Sequence, residues 1–413
     1  MPKNRLIELA RNVLESNWRE GFNEHFQLPY GYTAPSLVNR IYPHQWLWDS
    51  CFHAIVWSHL EPERAERELV TLLSRVDRKG LLPHMIVWER GSFPGVLHRK
   101  FFFGTEHSNR FTQPPVIAIA LERVYQTTGN RDFLEQTLPA ALRVYNWLAQ
   151  ERDPDGDGLV SLISPVESGA DQSPVFDHLF KIRKPTVVRL YAALHWDYIL
   201  CRLLNCNLRK IQRFGLFNIE EIGFNSILVV ALRSLARLLV EVGETEAAGK
   251  IRLWADKAER SIIEKCFDSE TGLFYSLAYR SEMMINEPTY ASLMPLLLDG
   301  LGKDQVDGLV GALTDEERYW LPYPVPSVPK DNRSFDPSGQ IVIWRGPTWI
   351  NINWFLVQGL LTHGHRELAG ELERRSLGLA ERSGFRECYN PLTGEGLRAK
   401  NFGWSTLVMD FLS

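Results

Sequence analysis

Residues 164–174 read SPVESGADQSP, which puts Glu167 and Asp171 among glycine, serine and proline. On such a segment a carboxylate is aimed by the local turn, independently of helix periodicity. Gly169 and Ala170 leave room for a ligand to approach the backbone. A second acidic segment, residues 384–406, reads GFRECYNPLTGEGLRAKNFGWST and carries Glu387 and Glu395, with Tyr389, Asn390 and Trp404 interleaved. Partial desolvation would keep the Asp171 proton in place toward neutral pH. Two carboxyl groups on separate segments suit glycosidic hydrolysis, where one protonates the leaving oxygen and the other activates water or attacks the sugar. Turn capping is the competing reading of Glu167 and Asp171, and composition leaves the two level.

The chain contains 13 tryptophans, an unusual number, and many stand beside polar residues. The clusters are HQWLWDS (44–50), IVWERGSF (86–93), IVIWRGPTWININW (341–354) and NFGWST (401–406). Indole beside Asp, Arg, Asn and Gly points to a wet aromatic surface on which the C–H face of a sugar can pack. DPDGDG at 153–158 has the form of the first half of a calcium loop. The twelfth position counted from Asp153 is Ser164, which carries no charge, so the segment reads as an Asp/Gly turn and no metal is expected. No Ser-His-Asp or Cys-His arrangement has recognisable local context, so water is the expected nucleophile.

These segments need a scaffold, and helical periodicity dominates the rest of the chain. RLIELARNVLESNW opens it, PERAERELVTLLSRV follows with Pro62 in its first turn, and QPPVIAIALERVYQTTG ends at Gly129. Later helices are expected over 185–206, 224–243, 245–266, 288–299, 303–314, 349–363 and 365–384. Strand signals are short (GLVSL, GLFYS, IVIW), with no βαβ rhythm. Long connections at 18–46, 79–112, 153–184 and 316–348 are expected to be functional. The pattern predicts an all-α fold, an (α/α)6 barrel of six helical hairpins forming a single domain over 1–413, with its working face made by the long loops.

Net charge is −4 and no basic stripe stands out, which argues against nucleic acid as a partner. No run approaches the roughly 18 apolar residues of a membrane span, and the N-terminus lacks a signal-peptide core. The five cysteines are scattered and odd in number, which suggests reduced thiols and a cytoplasmic protein.

In order along the chain, LWDSCFHA (47–54), TQPPVIA (112–118), DPDGDGLVSLISPVESGADQSP (153–174), NEPTYASLMPLL (286–297), WRGPTWININW (344–354) and ECYNPLTGEGLRAKNFGWSTLV (387–408) resemble glycoside hydrolase family 63. That family belongs to the (α/α)6-barrel glycosidases, with the inverting trehalases. Its small bacterial members are similar to mannosylglycerate and glucosylglycerate hydrolases, which cleave an α-linked hexose from D-glycerate, a compatible solute. The resemblance implies Asp171 as general acid and Glu387 as general base, roughly 6.5–9.5 Å apart so that a water fits between them. It implies that Glu167 supports the loop and that Glu395 meets the sugar. Trp48 and Asp49 would hold sugar hydroxyls, and Gln113, Gly169, Trp344, Arg345, Trp349 and Trp404 would line the same pocket. No cofactor is implied.

A glycerate carboxylate needs a local cationic or donor-rich patch, because the protein itself is negative. Tyr30 and Tyr32 in LPYGYTAP, His84, and the run His98-Arg99-Lys100 are the candidates. Mannose and glucose differ only at the 2-hydroxyl, so hexose identity stays open. The alternatives are an α-glucosidase for disaccharides or oligosaccharides on the same fold, and a non-catalytic sugar-binding protein. The latter would account for the tryptophans but not for the two acidic loops.

Overall fold

The structure, a computed structural model, describes residues 3–89, 93–340 and 342–412. Arg90–Ser92 and Ile341, parts of two of the tryptophan clusters, lie outside the described residues.

The helices are α1 (Lys3–Asn17), α2 (Leu47–Leu60), α3 (Pro62–Leu73), α4 (Phe93–Phe103), α5 (Ile117–Thr128), α6 (Arg131–Glu151), α7 (Val175–Phe180), α8 (Val187–Leu203), α9 (Leu208–Arg213), α10 (Ile222–Glu241), α11 (Thr245–Lys265), α12 (Lys303–Leu313), α13 (Ile350–Thr362) and α14 (Arg366–Ser383). Two 3₁₀ segments, Tyr290–Leu297 and Gly403–Leu412, complete the scaffold. Neighbouring contacts run α2, α5, α10, Tyr290–Leu297, α13, Gly403–Leu412 and back to α2, which closes a ring of six inner elements. Each has an outer partner: α3 on α2, α6 on α5, α11 on α10, α12 on Tyr290–Leu297, α14 on α13, and α1 on Gly403–Leu412. That closure is the expected all-α (α/α)6 arrangement.

Sequence explains why the pairs divide this way. Inner helices are apolar nearly all round, as in α2 and α13, where almost every residue is buried. Outer helices bury a single stripe, such as Ala248, Ile251, Ala255, Ala258 and Ile262 of α11. α10 has the length and apolarity of a membrane span, yet it packs between α5, α11 and Tyr290–Leu297 in the core. Helix ends follow the local signals: Pro62 begins α3, and Gly129 ends α5 at φ 62°.

The connections hold more structure than their sequences suggest. Residues 18–46 contain an antiparallel hairpin, Trp18–Asn23 with Leu28–Thr33. Residues 79–112 contain α4, and 153–184 contain α7. α4 packs on α8 outside the ring. A small second core of Phe111, Ile163, Tyr198, Cys201, Leu208 and Ile211 lies beneath that pair. The segment 288–299, expected as an α-helix, is 3₁₀ with Pro295 inside it, because proline cannot supply the N–H of an α-helical ladder. The short strands pair only in two- and three-stranded pieces.

Candidate active site

A cavity of about 480 Å³ opens where the long connections converge. Trp48, Asp49, Gln113, Gly169, Asp171, Trp344, Trp349, Glu387 and Trp404 all line it. Nine of the sequence-derived residues are thus brought together from segments as far apart in the chain as Trp48 and Trp404.

Asp171 follows the 3₁₀ turn Pro165–Ser168. The loop is anchored by Glu167, which is fully buried and forms a two-pronged ion pair with Arg152, both N···O distances being 2.7 Å. Glu167 also accepts the Ile163 and Thr112 backbone N–H groups, at 2.8 and 3.2 Å. Glu167 therefore supports the loop and does not line the cavity. Gly169 has φ 74°, and a Cβ there would lie 2.5 Å from the Trp48 indole. Gly169→Ala should therefore lower both melting temperature and kcat/KM, by displacing Trp48 or the turn that carries Asp171; side-by-side thermal melts and kinetics check it.

Glu387 lies on the strand Arg386–Tyr389, which pairs with Gly396–Lys400. The register shifts between Arg386 and Cys388, so Glu387 falls on a bulge, a device that re-aims a side chain. Its Oε1 accepts the Tyr42 hydroxyl at 3.0 Å and its Oε2 accepts the Ala399 N–H at 3.2 Å. Its carbonyl accepts the Trp404 indole N–H at 3.1 Å. Asp49 sits in the first turn of α2. The N–H groups that open that helix are satisfied from outside, Leu47 by the His84 carbonyl and Trp48 by Gln113 Oε1 at 3.3 Å.

Burial in this enclosed site sets the electrostatics. Desolvation pushes the Asp171 carboxyl up to about 6, and the nearby Glu387 charge adds to the rise while Arg398 opposes it. Asp171 keeps contact with the cavity, yet lies deep enough that loss of water dominates. Desolvation also raises Glu387, opposed by the hydrogen bonds from Ala399 and Tyr42, which favour its ionised form. Asp49 is pushed up to about 7 by burial. Burial thus raises all three carboxyl groups of the cavity, and at Glu387 alone a tyrosine hydroxyl and a backbone N–H oppose the rise.

The aromatic wall is continuous. Trp344 stacks on Trp349 with ring centres 3.7 Å apart, and Trp404 meets both Trp349 and Trp48 edge-on at 5.6 Å. Trp344 adopts φ 63°, a left-handed backbone that a bulky residue rarely takes, and such strain clusters at functional sites.

Four sequence-derived residues lie elsewhere. Arg345, expected to line the pocket, is 2 % exposed and sits behind it. It holds Asp177 with two 2.8 Å contacts and donates Nε to the Gln172 carbonyl, so it buttresses the Asp171 loop. Glu395 is exposed in the hairpin turn, where its backbone closes on Asn390. Tyr30 stacks on Trp88 and faces Glu89, and Tyr32 donates to the Pro43 carbonyl; neither lines the cavity.

Several lining residues were not singled out from sequence: Tyr42, Trp46, Asn109, Tyr191, His195 and Tyr198. Trp46 stands inside the cluster HQWLWDS without having been given a role, and Tyr42, two residues before that cluster, could have been found by extending it. Tyr191, His195 and Tyr198 lie on α8, whose sequence has no signal beyond helical length. His84, His98 and Arg99 line the cavity; Lys100 does not, and it pairs with Glu106 outside. His84 is buried against Asn109, and desolvation lowers it to about 3, so it is neutral.

The chain matches the family model for the mannosylglycerate hydrolase MGH1-like glycoside hydrolase domain over residues 42–405. It is 32 % identical to a mannosylglycerate hydrolase of Thermus thermophilus over 97 % of this chain and 99 % of that one. It is 28 % identical to a glucosylglycerate hydrolase of Mycolicibacterium hassiacum, covering 92 % and 94 % of the two chains. A crystal structure of the family 63 mannosylglycerate hydrolase from Thermus thermophilus, in complex with Tris and D-glycerate, superposes with a TM-score of 0.86 at 32 % identity, over 98 % of this chain and 99 % of that one. With the family model covering most of the chain and the barrel and cavity in place, the chain belongs to the MGH1-like glycoside hydrolases of family 63.

Proposed function

We propose that the protein is an inverting α-glycosidase that splits an α-hexosyl glycerate, mannosylglycerate first and glucosylglycerate second, into hexose and D-glycerate. Asp171, protonated up to about pH 6, donates to the glycosidic oxygen as the C–O bond breaks. Glu387, ionised and oriented by Tyr42 and Ala399, takes a proton from a water. The water oxygen bonds to the anomeric carbon on the face opposite the leaving glycerate, so an α-glycoside yields the β-hexose. Asp49 and the tryptophan wall are suited to the hexose hydroxyls and ring face.

The observation that carries the substrate reading is the separation of charge in the cavity. The acids Asp49, Asp171 and Glu387 come from the barrel and its loops, while the Arg99 guanidinium comes from α4, next to His98, whose pKa burial lowers. A neutral sugar with a short anionic aglycone matches that polarity. The relatives named for hydrolysis of mannosylglycerate and glucosylglycerate support both hexoses. The five cysteines are free, which fits a cytoplasmic enzyme, and closure of the ring by the C-terminal segment fits one catalytic domain.

Proton NMR of fresh product should show the β-anomer first; early α-anomer would mean retention and a different role for Glu387. Mannosylglycerate should be turned over with a higher kcat/KM than its neutral amide. Equal values would remove carboxylate recognition and favour a neutral disaccharide or oligosaccharide.

A further inference from the structure

We propose that a second cavity, where the ends of α3, α4 and α8 meet, binds a small phosphorylated anion and couples it to the active site. The cavity measures about 390 Å³. It takes Arg75 from the end of α3, Arg110 from the segment after α4, and Arg202 and Asn205 from the end of α8. Asp77 is the one acid in its lining among the described residues, and its Oδ1 already accepts the Lys79, Gly80 and Leu81 N–H groups at 2.8, 2.8 and 2.9 Å. Three guanidinium groups therefore share the cavity with one carboxylate that is already served.

Arg75 points most directly to a ligand. It is half-buried, its guanidinium carbon lies 3.5 Å from the Phe26 ring centre, and it pairs with no carboxylate among the described residues. Burial lowers its pKa from the usual guanidinium range, and no carboxylate offsets the loss. A desolvated cation without a counter-ion calls for an anion. Arg110 also has no carboxylate partner among the described residues, and Arg202 spends only Nη1, on the Lys100 and Phe101 carbonyls at the end of α4. Planar donor forks from three segments suit the oxygens of a phosphate dianion, and Thr105, Ser108 and Asn205 add neutral donors. The volume is that of a small-molecule site, so the rest of a phosphate ester fits with its head.

Phe103 and Asn109 stand in the walls of both cavities. Phe103 meets Tyr198 edge-on at 5.2 Å, and Asn109 Nδ2 lies 2.9 Å from His84 Nε2; Tyr198 and His84 line the active site. An anion that bridges Arg75 and Arg202 draws α8 and the end of α4 onto the barrel, and so tightens the side of the active site that α4 and α8 supply.

Calorimetric titration of the full-length protein with inorganic phosphate and with glycerol 3-phosphate tests this. One saturable site is expected, with a melting temperature that rises with ligand. Tighter binding of the ester assigns an ester as the ligand, and the reverse assigns free phosphate. Arg110→Gln and Arg75→Gln should each weaken binding about tenfold or more, while Arg99→Gln, in the active-site cavity, should not. Saturating ligand should lower KM for the hexosyl glycerate about fivefold with kcat little changed, in the wild type and not in Arg110→Gln. That last arm rests on the hydrolase reading and the titration does not, so the two failures are told apart. Absence of saturable phosphate binding overturns the proposal. So does undiminished binding by Arg110→Gln, loss of binding in Arg99→Gln alone, or a KM that is the same with and without ligand.

Discussion

Asp171→Asn and Glu387→Gln are each expected to lower kcat/KM by about 10²–10⁴-fold, the usual contribution of a positioned general acid or base, with circular dichroism unchanged. Glu395→Gln, altering an exposed turn residue, should keep wild-type turnover. The reverse pattern, with Glu395→Gln inactive and Glu387→Gln active, would give the role of base to the other glutamate. The same variants carry a stability signature. The native state raises the Asp171 carboxyl from 3.8 to about 6, so folding is favoured below pH 4 and that contribution fades as pH climbs through about 6. Asp171→Asn should therefore be more stable than wild type above pH 6, by about 3 kcal/mol, and equally stable below pH 4. Thermal melts at the two pH values read it directly. Activity follows the same proton: the alkaline limb of kcat/KM should fall near pH 6, where Asp171 loses its acid form. A pH-independent stability difference would mean that burial of the charge is not the cause.

Glu167→Gln is expected to destabilise the fold by about 3–5 kcal/mol, since it leaves the buried Arg152 guanidinium without a counter-charge. Every other acceptor role of Glu167 suffers too, because its two oxygens also receive the Ile163 and Thr112 N–H groups. Glu167 ties the Asp171 loop to the barrel on one side, as Arg345 does on the other, so kcat should drop as well. The pair Arg152→Met/Glu167→Gln separates charge from shape: with no buried charge left, it should recover part of the stability and little of the kcat. Chemical denaturation of the three variants tests it. A loss under about 1 kcal/mol in Glu167→Gln would show that the loop is held by its backbone alone.

The helical scaffold was legible before any coordinates, because burial on one face leaves a period of three to four residues and ends leave proline and glycine marks. α10, α11, α12, α13 and α14 fall within two residues of their expected limits, the scatter normal for helix ends, while α3 stops three residues short. Asp171, Glu387 and the polar-flanked tryptophans stood out by their neighbours, but the residues alone left catalysis and turn capping level, and the roles of acid, base and loop support for Asp171, Glu387 and Glu167 were implied only by the resemblance to family 63. α4 was not legible, because FPGVLHRKFFF has proline and glycine near its start and no clean apolar stripe.

What sequence could not decide was direction. Arg345 lies beside Trp344, yet one faces Asp177 behind the loop and the other faces the cavity, because the backbone turns through φ 63° between them. Glu387 and Glu395 share one acidic segment, and only the bulge in its hairpin aims the first inward while the second stays in the exposed turn. Tyr30 alternates with Gly31 and Tyr32 on a strand whose hydroxyls meet Glu89 and Pro43 before they could reach a substrate. Residue types and spacing determined that the chain has the chemistry of a glycosidase on a helical ring. The tertiary structure decided which side chains face one another, because that depends on register, strand pairing and packing partners hundreds of residues away.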